Sequence, residues 1–122
     1  MENSRILIVE DQNIIALDLK NRLTSLGYTV PAMLAYGEEA VARAEELRPD
    51  LVLMDIKMPD MDGYEATKQI RGFNKAVIII AQTAHALSGD REKAIEAGYN
   101  DYISKPILKG KLLALIQKYF NK

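Results

Sequence analysis

The sequence predicts an α/β domain: one parallel sheet with helices on both faces. Three observations carry that. Short apolar runs such as Ile6-Leu7-Ile8-Val9 and Leu51-Val52-Leu53-Met54 are continuous rather than alternating, as in strands buried on both faces. Segments with apolar residues at helical spacing lie between them. Strand and helix then alternate five times, and right-handed crossovers joining such units leave few topologies.

Ile6 to Val9 is the first strand. The segment Gln12 to Leu26 follows, with Ile15, Leu19, Leu23 and Leu26 on one helical stripe and Gly27 as the stop. Tyr28 to Leu34 reads as a second strand, interrupted by Pro31, which suits an edge strand better than a central one. Glu38 to Leu47 is helical through Val41, Ala44 and Leu47, and Arg48-Pro49 ends it. After the third strand, Leu51 to Met54, Asp62 and Glu65 have the spacing of a capping box for a helix that runs to about Arg71. Val77 to Ala81 is the fourth strand. Ser88 caps a helix that runs through Ala97 and closes at Gly98. Asp101 to Ser104 is the fifth strand. Leu108 to Phe120 is the last helix, with Leu108, Leu112, Leu115, Ile116 and Tyr119 inward. No Pro/Gly/Ser-rich linker divides residues 1–122, which read as one domain.

Composition narrows the function classes. With 48% hydrophobic and 27% charged residues, the chain suits a globular domain with a real core. A net charge of -1 gives no basic field for nucleic acid or an anionic membrane. The absence of cysteine excludes disulfides and thiolate chemistry and fits a reducing cytoplasm. Met1-Glu2-Asn3-Ser4-Arg5 leads into an apolar run too short for a signal peptide or a membrane span.

Ligands of open parallel sheets bind at the carboxyl ends of the strands. Those ends carry Glu10 and Asp11 after strand one, Asp55 after strand three, Thr83 after strand four and Lys105 after strand five. Like charges about 4 Å apart repel by roughly 4 kcal/mol at an effective dielectric of 20, so three carboxylates require a counterion. Oxygen-only ligands favour a hard cation such as Mg²⁺. A carboxylate facing Mg²⁺ and an ammonium is suited to receive a phosphoryl group. Asp55 is then the nucleophile, and Thr83 a donor to a phosphoryl oxygen.

ILIVED (Ile6 to Asp11), LVLMDIKMPDMDG (Leu51 to Gly63), QTA (Gln82 to Ala84) and YISKP (Tyr102 to Pro106) together resemble the receiver domain of bacterial two-component response regulators, over nearly the whole chain and in the family's order. The resemblance implies a doubly wound, flavodoxin-like (βα)5 sheet of order 2-1-3-4-5. It implies Asp55 as phospho-acceptor, Asp11 as direct Mg²⁺ ligand, Glu10 acting mainly through water, and the Lys57 carbonyl as a further ligand. Thr83 is implied as the switch hydroxyl, the Ala84 N–H as a phosphoryl donor, Lys105 as the charge partner ahead of a cis bond to Pro106, and Tyr102 as the aromatic switch. It further implies a histidine kinase or histidine phosphotransfer domain as partner, and no enzyme activity beyond the domain's own phosphorylation and dephosphorylation. Phosphorylation would alter the face formed by helix four, strand five and helix five, which is also a face for homodimerisation. The stretch LVLMDIKMPDMDGYEATKQIR is similar to receivers attached to hybrid kinases, beside the stand-alone alternative.

Taken singly, these residues have plainer readings. Glu10-Asp11 are helix-terminal acids, Asp55 is an Asx-turn residue and Lys105 a solvated lysine. Asp60 and Asp62 read as loop and N-cap, His85 as a loop residue, and Met54, Met58 and Met61 as filler. The side chain of Lys57 is expected to tune water access to an acyl phosphate. A nucleotide- or flavin-binding sheet would want glycines where Glu10-Asp11-Gln12-Asn13 stands. A haloacid-dehalogenase-type phosphatase would want an acid at Lys57. A docking or engineered module of the same fold, inert to phosphorylation, is the alternative function.

Overall fold

Strands that are apolar on both sides need cover on both faces, and five helices supply it. The computed structural model describes residues 4–83 and 90–120. Its elements are β1 (Ile6–Val9), α1 (Asn13–Ser25), β2 (Met33–Leu34), α2 (Gly37–Leu47), β3 (Leu51–Asp55), α3 (Gly63–Arg71), β4 (Ile78–Thr83), α4 (Asp90–Ala97), β5 (Asp101–Ser104) and α5 (Lys109–Phe120). Every strand pairing is parallel, in the expected order β2-β1-β3-β4-β5. The order reverses between β1 and β3, so the carboxyl ends of these two strands border the crevice.

Alternate strand residues feed two cores. Leu7, Val9, Val52, Met54, Ile79 and Ala81 face α2, α3 and α4, which meet them with Ala40, Ala44, Ala66, Ile70, Ala94 and Ala97. Ile6, Ile8, Leu51, Leu53 and Ile80 face α1 and α5, which contribute Leu19, Leu23, Leu112 and Ile116. Alanines on the three-helix face let those helices lie close to the sheet and to one another.

Several boundaries differ from expectation. Tyr28 to Leu34 is not one strand: Met33–Leu34 pairs with β1, and Arg5 and Thr29 form a separate bridge. Pro31 has no N–H for the ladder and separates the two pairings. The strand does lie at the sheet edge. β3 and β4 run further than their apolar residues and take in Asp55 and Thr83, because the ladder is a backbone property. The Asp62 carboxylate accepts from the Glu65 N–H at 3.0 Å, as an N-cap should. The reciprocal half of the box is replaced: Glu65 Oε2 accepts from Gln69 Nε2 at 3.1 Å. Leu108 is 55% exposed because it precedes α5 at the sheet's rim; Leu112 and Ile116 carry the inner stripe. Gly27 and Gly98 close α1 and α4 with φ of 97° and 114°, a region where a side chain is strained. Ser88 lies outside the described residues. Among the described residues, no helix is long and apolar enough to cross a membrane.

Candidate functional site

Because all strands run the same way, their last residues meet on one rim. Glu10 directly follows β1, and its N–H donates to the Leu34 carbonyl of β2 at 2.8 Å. One Glu10 oxygen accepts from the Gln12 N–H at 3.1 Å, where α1 begins. Asp55 ends β3 and is in register with Gln82 of β4. Lys105 follows β5; its N–H donates to the Thr83 carbonyl at 2.7 Å, and the Lys105-Pro106 bond is cis, as expected.

The side chains converge. Lys105 Nζ lies 2.7 Å from Glu10 Oε1 and 3.1 Å from Asp55 Oδ2. The Asp55 contact is a hydrogen bond. The Glu10 contact is an ion pair met off the angles a hydrogen bond needs. Asp11 is exposed, yet Glu10, Asp11 and Asp55 can each offer an oxygen, with all three atoms within 4.8 Å of one another. Glu10 and Asp55 are only 2% and 5% exposed.

This crowding has an electrostatic signature. Burial pushes the Glu10 carboxyl above its ordinary range, and Asp55 adds repulsion, while Lys105 and the Gln12 N–H pull the other way. Burial likewise raises Asp55 against the pull of Lys105, with Asp11 adding to the rise. Burial alone would lower the Lys105 ammonium, but its contacts with Glu10 and Asp55 outweigh that and hold it above its usual value. One ammonium therefore leaves the two buried carboxylates under-neutralised. The donor set, carboxylate oxygens without nitrogen or sulfur, fits a hard divalent cation in chemistry and in charge.

Four expected residues, Glu10, Asp11, Asp55 and Lys105, are thus brought together. Thr83 stands one residue beyond Gln82 and is 8% exposed. It borders a cavity of about 300 Å³ shared with Ile56, Lys57, Asp62, Tyr64, Asp90 and Lys93. Lys57 is exposed and sits at the lining of that cavity. Tyr102 is half-buried on β5 and packs against the three-helix core. Ala84 and His85 lie outside the described residues.

The model of the response regulator receiver domain family matches residues 6–117. The chain belongs to this family. The receiver is 37% identical to the chemotaxis protein CheY of Thermotoga maritima over 114 residues, 93% of this chain and 95% of that protein. It is 45% identical over 85 residues to the signal transduction histidine-protein kinase BarA of Escherichia coli, 68% of this chain but 9% of the kinase. Among solved structures, it resembles the receiver domain of a Pseudomonas aeruginosa sensor histidine kinase, which has a magnesium ion coordinated in its active site cleft. That match has 42% identity and a TM-score of 0.90 and covers 98% of this chain and 99% of that one.

Sequence reasoning gave Gln82 no role, although it sits in the row of Asp55 and is fully buried. The signal was present: it is the one amide in the apolar run IIIAQT of β4.

Proposed function

We propose that this receiver accepts a phosphoryl group on Asp55 from a phosphohistidine of a histidine kinase or histidine phosphotransfer domain, with Mg²⁺ required. An Asp55 oxygen attacks phosphorus, the P–N bond to the imidazole breaks, and the imidazole leaves with that electron pair and takes up a proton. Glu10, Asp11, Asp55 and the Lys57 carbonyl would hold the ion, which when bound neutralises charge on the transferring phosphoryl oxygens. Lys105 keeps its ammonium beside Asp55 and is positioned to neutralise a second oxygen. Thr83 and the Ala84 N–H are assigned to the remaining oxygens. The observation that supports this reading is a buried carboxylate, Asp55, with an ammonium at 3.1 Å and oxygens of two further acids close by.

Phosphorylated Asp55 then favours a second conformation, in which Thr83 closes on the phosphate and Tyr102 turns inward. The shift occurs only if phosphate binds the two conformations unequally. The altered surface is the face of α4, β5 and α5, where we place the contact with an output partner or a second copy. The domain is a stoichiometric acceptor in the cytoplasm rather than a turnover enzyme, and it contacts neither nucleic acid nor membrane. Incubation with acetyl phosphate and Mg²⁺ should add one phosphoryl group, detected by intact mass. Asp55→Ala should take none, and label persisting in that variant would overturn the assignment.

A further inference from the structure

Gln82 is fully buried, and its carboxamide is only half used. Nε2 donates to the Val9 carbonyl across a long 3.4 Å. Oε1 finds no hydrogen-bond donor among the described residues. Val9 lies on β1 and Gln82 on β4, with β3 between them, so the amide spans β3 in the row of Asp55. A buried amide oxygen without a donor costs stability, so its retention calls for a use.

The neighbouring cation supplies one. Gln82 is in register with Ile103 of β5, and Lys105 directly follows the last residue of that strand, Ser104. To touch Asp55 on β3 and Glu10 after β1, the Lys105 side chain must pass over β4, whose residue in register with Asp55 is Gln82. The path of the Lys105 side chain to Asp55 thus runs past the row that holds the unpaired Gln82 amide oxygen. Glu10 and Asp55, if they held a divalent ion, would give up to it oxygens that now face Lys105, and like charge would push the ammonium back. We infer that Gln82 is a positioning residue for Lys105: its Oε1 is the neutral seat that accepts the displaced ammonium and keeps it beside Asp55 when Mg²⁺ enters. This rests on the Mg²⁺ reading above.

A double-mutant cycle with Mg²⁺ alone as the probe tests it, by calorimetric titration of the full chain. Gln82→Met keeps length and burial but removes the seat, and should weaken Mg²⁺ binding about tenfold, as expected for one lost hydrogen bond to a charged group. In a Lys105→Met background the same substitution should leave Mg²⁺ affinity unchanged, since no ammonium needs seating. No loss in the first case, or an equal loss in both, overturns the inference. A second readout needs no change at Gln82. Its side-chain amide resonances should shift when Mg²⁺ is added to the unsubstituted chain and shift much less in Lys105→Met; equal shifts would count against it. Absence of Mg²⁺ binding by the unsubstituted chain would instead sink the metal reading, and this inference with it.

Discussion

At Asp55 the chain holds a carboxylate in a place where its charge is disfavoured, and the surrounding backbone gives it little freedom. Gly63 shows how tight that fit is. A Cβ there would overlap Tyr99 Oη and the Asp55 carbonyl oxygen and lie 2.9 Å from Ile56 Cα. Gly63 also donates its N–H to the Ile56 carbonyl at 2.7 Å. The loop after β3 and the start of α3 therefore pack too closely for a side chain at this position. Gly63→Ala should destabilise the domain by about 2–3 kcal/mol, because overpacking moves backbone rather than a flexible side chain. It should also slow acetyl phosphate labelling, since the shifted backbone is that of Asp55. Urea denaturation and intact-mass kinetics on the same sample measure the two effects.

Among elements, α4, β5 and α5 are tied together by Asp101, whose side chain is 5% exposed. Its Oδ1 accepts from Arg91 of α4 at 3.1 Å and from the Tyr102 N–H at 2.9 Å. Its Oδ2 accepts from Lys118 at 3.0 Å and Tyr119 at 2.9 Å, both on α5. Burial pushes this carboxyl up, but the four donors outweigh it and hold it below its ordinary 3.8. The stabilisation is therefore present at neutral pH and is lost as pH falls from about 3.8 through the lower folded-state value. Asp101→Asn should cost about 2 kcal/mol at pH 7, with the difference from the unsubstituted chain vanishing in acid. Arg91→Ala and Lys118→Ala should each cost under about 1 kcal/mol, because both cations are more than half exposed and screened. Chemical denaturation across pH distinguishes these cases.

For the molecule as a whole, the rim and the Asp101 cluster respond to pH in opposite senses. Glu10 and Asp55 are raised in the folded state, so the fold binds their protons more readily than the unfolded chain does. Stability is lost as pH rises from about 4 through their raised folded-state values. A divalent ion would restore it by ligand linkage, about 2.7 kcal/mol at a hundredfold excess over Kd. The thermal midpoint should therefore rise with Mg²⁺ at pH 7.5, rise less as pH approaches 5 where protons compete for the same oxygens, and barely respond in Asp55→Asn. Thermal melts over this pH range with and without Mg²⁺ measure it; an Mg²⁺ effect that grows toward acid would contradict the site.

The strand runs, the helical stripes, the stops at Gly27 and Gly98 and the N-cap at Asp62 were legible because they depend on local spacing and backbone preference. The acids and the lysine at the strand ends were legible too, since parallel topology alone sends them to one rim. Where β2 begins, how far β3 and β4 extend and whether Leu108 faces inward depended on neighbours, and the sequence does not carry neighbours. The ammonium bridge to Glu10 as well as Asp55, and the half-used amide of Gln82 in the same row, arise only when β1, β3, β4 and β5 lie side by side. Residues 10, 55, 82 and 105 are far apart along the chain, and burial and charge between them exist only after strand order and register are set.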